Sequence, residues 1–239
     1  MVCMLYNSSS QERSKEATTE RTEDTEKIKI SQKYMTEHMK AWKSEYKSSI
    51  WKGHYSLDLL GSLCKGCLLD AGCGSGKHSI PLQMRGFDVI GVDVSRGALE
   101  MAAKGSVCRE LDIKFLAADI CHLPFPASSF DVIWCYGVLQ HLLLAERELA
   151  INEFRRLLRR NGILFIEVFG EEDMRYGGDE VEHNTFKRKN GIIYHYFDKN
   201  ELKGLLSGFS CRIVESKKEK RFDGRVYIRH TISIAAERS

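Results

Sequence analysis

The run Leu68-Leu69-Asp70-Ala71-Gly72-Cys73-Gly74-Ser75-Gly76-Lys77 constrains this chain more than any other stretch. An apolar segment ends in an acid, and glycine then occupies every second position three times over. Without a Cβ, such a loop can turn tightly and let a ligand approach its backbone. A buried strand that ends in a glycine loop and then opens a helix is the start of an α/β nucleotide site.

The text downstream agrees, because short apolar runs alternate with longer amphipathic ones, the order of a parallel sheet flanked by helices. Strands are predicted at Cys67–Asp70, Phe87–Val92, Ile113–Ala117, Phe130–Cys135 and Ile163–Phe169. Helices are predicted over about 76–85 and from a Ser95 cap to about Lys104. A third helix carries Ala150, Phe154, Leu157 and Leu158 and is expected to stop at Asn161-Gly162. A last helix around 202–206 precedes strands at Cys211–Glu215 and Tyr227–Ala235, for about seven strands in all.

Composition narrows the partners. The 239 residues carry 36 Lys and Arg against 33 Asp and Glu, a formal net charge of +3, which argues against a dedicated nucleic-acid clamp and gives no reason to expect DNA. No apolar run approaches the roughly 20 residues of a membrane-spanning helix, and Met1–Tyr6 lacks the basic leader of a signal peptide. A soluble, cytoplasmic protein is expected. Its eight cysteines are then read as thiols, and the lone Cys64-Lys65-Gly66-Cys67 as small residues leading into a buried strand rather than a metal site.

Residues 1–27 are polar and charged from Asn7 onward and read as a disordered tail before a domain over 28–239. Residues 28–60 place Tyr34, Trp42, Tyr46 and Trp51 at helical spacing, with Tyr55 following, a segment expected to pack onto the domain. Residues 170–197 exceed an ordinary connection and read as a substrate-side insertion, a two-stranded cover around the turn Lys189-Asn190-Gly191.

Three nucleotide-site readings compete for the glycine loop. A P-loop fails because Ala71 and His78 stand where Gly and Ser or Thr are required. A dinucleotide fingerprint fails at Lys77, where its third glycine belongs. The run Asp-x-Gly-x-Gly-x-Gly at 70–76 resembles the first motif of class I S-adenosylmethionine-dependent methyltransferases, of the type 11/25-like group. Two further stretches extend the resemblance: Val89-Ile90-Gly91-Val92-Asp93-Val94-Ser95, whose acid falls 23 positions after Asp70 (93 − 70), and Ala117-Ala118-Asp119-Ile120.

The resemblance covers about Leu68–Phe169 and implies an α/β fold, a three-layer Rossmann-like arrangement with a seven-stranded, mostly parallel sheet and an antiparallel last strand. It implies S-adenosylmethionine as cofactor, held by Asp70, Gly72, Gly74, Gly76, Asp93, Val94, Asp119, Ile120 and Tyr136, and no metal. Asp93 would accept the ribose hydroxyls, Asp119 the adenine amino group, and the Ile120 N–H would meet the ring. The family's Arg-Pro-Gly-Gly turn is replaced here by Arg159-Arg160-Asn161-Gly162.

Catalytic candidates are fewer, because an electrophilic methyl needs chiefly a well-placed nucleophile. Tyr136 and His141 follow the fourth strand, where ligands gather, and His141 has a pKa range suited to moving a proton. His195 lies in the insertion, where alternation places it with Ile193 and Phe197 and favours a packing role over a chemical one. The acceptor is expected to be a small molecule or a protein. A wobble-uridine type tRNA methyltransferase and a non-catalytic cofactor-binding protein are the alternatives, the first weakened by only 14 Lys and Arg against 12 Asp and Glu over residues 171–239. Lys217-Lys218-Glu219-Lys220-Arg221 reads as a solvated connection between strands. Oligomeric state is not legible.

Overall fold

A computed structural model describes residues 40–42, 57–61, 63 and 65–239. The expected tail at 1–27 and most of the aromatic segment at 28–60 lie outside the described residues. Within that segment, residues 40–42 are helical and Asp58–Leu60 form a 3-10 turn. Residues 38–239 form one compact unit, which the following description concerns.

Ten strands and four helices are described. The main sheet contains β1 (Gly66–Ala71), β2 (Phe87–Asp93), β3 (Lys114–Ala117), β4 (Phe130–Tyr136) and β5 (Leu158–Phe169), joined by β9 (Phe209–Phe222) and β10 (Arg225–Arg238). The helices are α1 (Ser79–Met84), α2 (Arg96–Val107), α3 (Leu144–Leu157) and α4 (Lys199–Leu205). The sheet order is β3-β2-β1-β4-β5-β10-β9, with β10 antiparallel to both of its neighbours and the remaining pairs parallel. This is the Rossmann-like, seven-stranded, mostly parallel sheet expected.

Alternation along the strands builds the layers. In β5, Leu164, Ile166 and Val168 face a core shared with Phe154 and Leu157 of α3 and Leu202 of α4. Ile163 and Phe165 face the opposite core, with Trp134, Leu68 and Leu82 of α1. Each fully buried Leu, Ile or Phe contributes about 1.5–3 kcal/mol relative to exposure. The last residue of the second set before the strand ends is an acid, Glu167, opposite Tyr136 of β4.

Four expectations are corrected. The first helix begins at Ser79, because Gly74, Gly76 and their neighbours form turns before it. Asn161-Gly162 do not stop α3. That helix ends at Leu157, where Leu158 turns extended (ψ 141°) and begins pairing with Phe130. Asn161 (φ +61°) then sits in a left-handed position within β5, where the register against β4 shifts.

The insertion holds three strands, β6 (Asp179–Glu182), β7 (Thr185–Lys187) and β8 (Ile193–His195), rather than two. The Lys189-Asn190-Gly191 turn joins β7 to β8 as expected, and Asn184 (φ +56°) supplies the additional turn. Finally, Lys217–Arg221 lie inside β9 and pair with β10 instead of connecting two strands. Asp223 (φ +48°) and Gly224 (φ +72°) close that hairpin, both in the positive-φ region that a two-residue hairpin turn demands.

Candidate functional site

The glycine loop leaves the C-terminal end of β1 at the centre of the sheet. Gly72 (φ +79°), Gly74 (φ +53°) and Gly76 (φ +78°) all occupy the left-handed region that side chains disfavour. The N–H groups of Gly72 and Cys73 both donate to the Val92 carbonyl, at 2.8 and 2.9 Å, so the loop is moored to the end of β2. There is no room at residue 72: a Cβ would press against Val138 Cγ2 and stand 2.9 Å from its Cγ1.

Asp93 ends β2 and organises the turn. Its Oδ2 accepts the Gly74 N–H at 2.9 Å, and its Oδ1 accepts the Ser95 N–H at 2.8 Å. Burial pushes its carboxyl above the ordinary range, opposed by those N–H groups. Each oxygen has a second lone pair, so a diol can still be accepted. Val94 follows it, half-buried.

Asp70 has turned inward. It is 2% exposed, and its Oδ2 accepts the Ser79 hydroxyl at 2.6 Å, which pins the start of α1 to the end of β1. Burial raises its pKa to about 7, the Ser79 hydrogen bond opposes the shift and the Asp93 charge adds to it.

Beyond β3, the Asp119 Oδ1 accepts the Cys121 N–H at 2.9 Å while its side chain stays half-buried at the same sheet edge. The Ile120 side chain is 5% exposed and packs in the α3-side core, leaving its backbone as the part that can meet a ligand.

On the far side of the loop, Tyr136 ends β4. Its ring lies 4.4 Å from that of His78 and stacks parallel to Trp134 at 6.0 Å. Glu167 stands opposite it in β5 and accepts the Ser233 hydroxyl at 3.1 Å. Burial raises the pKa of both Tyr136 and Glu167. His78 is pushed the other way, to about 4, by burial and by the neighbouring Lys77 charge.

Arg229 of β10 reaches the same region. Its guanidinium lies over the Phe169 ring, 4.5 Å from the centroid, and pairs with the buried Asp173 at 3.1 Å. His141 sits in the short 3-10 turn Leu139–His141 after β4. Its Nδ1 donates to the Ile193 carbonyl at 2.9 Å, since a carbonyl only accepts, and this makes Nε2 the basic atom of the neutral ring. Trp42 and Tyr194 flank the ring edge-on, each at 4.7 Å.

His195 is placed elsewhere. It is 1% exposed, with the Thr185 hydroxyl 2.8 Å from Nδ1 and Glu201 2.8 Å from Nε2. Glu201 in turn pairs with the buried Arg147 at 3.1 Å. Both ring nitrogens are therefore engaged in tying the insertion to α3 and α4, as a packing histidine would be.

The structure thus gathers the Gly loop, Asp93, Val94, Asp119, Ile120, Tyr136 and His141 along the C-terminal edge, with Asp70 beneath it. Sequence reading did not single out His78, Glu167 or Arg229. The one available signal was Glu167, an acid in an otherwise apolar strand end. Among the described residues, no group of three or more His, Cys, Asp or Glu is placed to hold a metal ion. Cys64 lies outside them.

Comparison with known proteins now adds to the geometry. Residues 69–166 match the family described as a methyltransferase domain. Among curated proteins, the chain is similar to a malonyl-[acyl-carrier protein] O-methyltransferase of Yersinia pestis, 33% identical over 44% of this chain and 37% of that protein. It is also similar to a tRNA N(3)-cytidine methyltransferase of Bos taurus, 27% identical over 64% of this chain and 44% of that protein. The chain therefore spans less than half the length of these relatives.

Among solved structures, a SAM-dependent methyltransferase of Methanosarcina mazei superposes with a TM-score of 0.64 at 24% identity, covering 77% of this chain and 98% of that one. A 1,6-didemethyltoxoflavin-N1-methyltransferase of Burkholderia thailandensis, solved with S-adenosylhomocysteine, gives 0.58 at 17% identity over 100% and 94% of the two chains. These likenesses concern the fold.

Proposed function

We propose that this chain, whose residues 69–166 match a methyltransferase domain, moves a methyl group from S-adenosylmethionine to a nucleophile held beside Tyr136. The observation that carries the reading is Asp93: one carboxylate ends β2, holds the glycine loop through the Gly74 N–H, and keeps lone pairs for a diol. A nucleotide bearing a 2′-phosphate would meet that carboxylate as a like charge. The residues present fit the cofactor, because a three-glycine turn, a diol acceptor at β2 and an amine acceptor at Asp119 follow one another along a single sheet edge.

When bound, S-adenosylmethionine supplies a methyl made electrophilic by its sulfonium, and the electron pair of the breaking C–S bond remains on sulfur. The protein's work is to align the nucleophile, which can supply roughly 7–11 kcal/mol of the barrier through proximity and orientation. Tyr136, stacked on Trp134 and against the His78 ring, forms a wall for the incoming group. His141, its tautomer set by the Ile193 carbonyl, offers Nε2 as acceptor for the proton a hydroxyl or amine nucleophile would lose.

Equilibrium dialysis tests the cofactor assignment: S-adenosylmethionine and S-adenosylhomocysteine should bind and NAD should not. Tight NAD binding would overturn the reading. Tritiated methyl transfer into fractionated cell extract then asks whether label enters small molecules, protein or RNA. The whole-chain charge of +3 favours the first two, but that charge is unevenly distributed.

A further inference from the structure

The two strands β9 and β10 run past the rest of the sheet. The last residue of β5, Phe169, pairs with Thr231, and beyond it the segment after β5 still holds the ribbon: the Gly170 N–H donates to the His230 carbonyl at 3.0 Å, the Met174 N–H to the Ile228 carbonyl at 2.7 Å, and the His230 N–H to Asp173 at 3.0 Å. Residues 225–227 pair with β9 alone and continue beyond the C-terminal edge that carries the site, about 10 Å of two-stranded ribbon. Because paired residues share a face, the register assigns every side chain of this ribbon to one side or the other.

One face reads Arg229 with Lys218, Tyr227 with Lys220, and Arg225 with Phe222. Four cations and two aromatics of the ribbon lie there, and of the cations Arg229 is paired with Asp173 at 3.1 Å. This face is continuous with the site, since Ser233, on the same side of β10, hydrogen-bonds Glu167, the residue paired with Tyr136 across β4 and β5. The Lys218 charge is felt at Glu167.

The opposite face differs in composition and in its partners. Lys217 pairs with Glu172 at 2.6 Å, Arg221 with Glu219 at 3.9 Å, and Glu215 with Lys199 at 2.8 Å. Among the described residues no carboxylate forms an ion pair with Lys218, Lys220 or Arg225, and all three are exposed. Phe222 is 53% exposed, its ring 6.0 Å from that of Tyr227.

We infer that this face of the ribbon docks a single-stranded segment of RNA and leads it toward Tyr136, making RNA the class of acceptor for the methyl transfer proposed above, on which this last step rests. Lys218 and Lys220, on alternate residues of β9, stand about 7 Å apart, a step suited to successive phosphates of an extended chain, and Arg225 lies farther out on β10. The interleaved aromatic rings offer stacking surfaces for bases, a combination that characterises sequence-tolerant single-strand binding. A small anionic acceptor would need one cation at the site, which Arg229 alone supplies. A row of cations leading outward matches a polymer. The nearly neutral whole chain conceals this arrangement because the opposite face and the remaining surface carry the balancing acids.

The test is fluorescence anisotropy of a fluorescein-labelled, mixed-sequence 12-nucleotide RNA with the full chain, between 50 and 200 mM KCl. Three phosphate contacts, from Lys218, Lys220 and Arg225, predict a slope of log K against log salt of about −2.1. The variant Lys218→Gln/Lys220→Gln/Arg225→Gln should lose about 2 from that slope, and Tyr227→Ala should weaken binding about 5–150-fold through one lost stack. Neither variant should change affinity for S-adenosylhomocysteine by calorimetry or shift the melting temperature of the core.

An unchanged slope in the triple variant would overturn the proposal. So would residue-dependent binding to phosphatidylserine vesicles with no RNA binding at 50 mM KCl, which would make the ribbon a membrane contact. Loss of S-adenosylhomocysteine binding by the wild-type chain, with RNA still bound through these residues, would sink the methyl-transfer reading and leave the docking face standing.

Discussion

Replacing Gly72 with alanine probes the tightest point of the site. Two costs are separable there. The residue sits at φ +79°, where a side chain costs roughly 1–2 kcal/mol. Its Cβ would also collide with the two γ-methyl groups of Val138, the nearer within contact distance and the farther at 2.9 Å, an overpacking penalty of about 1–3 kcal/mol. The total, about 2–5 kcal/mol, is a large part of the 5–15 kcal/mol typical of a domain.

Val138→Ala removes the obstructing methyls and by itself costs about 1 kcal/mol at a half-buried position. Urea unfolding followed by far-UV circular dichroism should therefore show a double-mutant cycle with favourable coupling of about 1–3 kcal/mol. Gly72→Ala/Val138→Ala should recover the collision and retain the backbone penalty. If the two changes were simply additive, Val138 would not be what excludes a side chain at 72, and the account of the loop would be wrong.

Asp93→Ala should weaken S-adenosylhomocysteine binding by about 1.5–3 kcal/mol, roughly 10–150-fold by calorimetry, and an unchanged dissociation constant would remove the ribose role. Asp70 has a folded pKa of about 7 against 3.8 for an ordinary carboxyl, so its contribution to stability is complete below pH 4 and is lost as pH rises through 7. Asp70→Asn should accordingly flatten the fall in urea midpoint of the ligand-free protein between pH 4 and 7, leaving the share due to Glu146, Asp93 and Glu167, which are shifted the same way. His141→Ala is expected to lower kcat by 10²–10⁴ with cofactor affinity intact; an unaltered kcat would assign the ring to packing against Trp42 and Tyr194. His195→Ala should do the reverse, costing roughly 2–5 kcal/mol of stability by stranding Glu201 while the folded protein turns over normally.

The glycine loop, the strand-end acids and the parallel strand order were legible because each rests on local rules: glycine where φ is positive, alternation within a strand, an acid where a strand stops. Ser95 was legible as a cap for the same reason, and its hydroxyl accepts the Ala98 N–H at 3.3 Å. What escaped was set by distant partners. Nothing local says that Leu158 will leave its helix to pair with Phe130, or that Glu167 will meet both Tyr136 and Ser233. The long β9–β10 hairpin was an exception, since Asp223-Gly224 announces a tight turn, but the surrounding charges suggested a connection instead. His195 shows a middle case: alternation placed it with Ile193 and Phe197, and only the tertiary partners Thr185 and Glu201 decided between chemistry and packing.

The position of β10 has a consequence for how the chain assembles. It fills the gap between β5 and β9, yet Thr231 is 62 residues beyond its partner Phe169 in the sequence (231 − 169). A partly folded chain that has zipped β1 through β5 therefore exposes a bare β5 edge rich in Ile163, Leu164, Phe165, Ile166 and Val168, the kind of edge that templates pairing between molecules. The hairpin turn at Asp223-Gly224 shortens that dangerous interval, because β9 and β10 can form a ribbon locally and dock together as a unit. Heat, which weakens the docking, and high protein concentration, which speeds the competing pairing between molecules, should both convert this step from folding into aggregation.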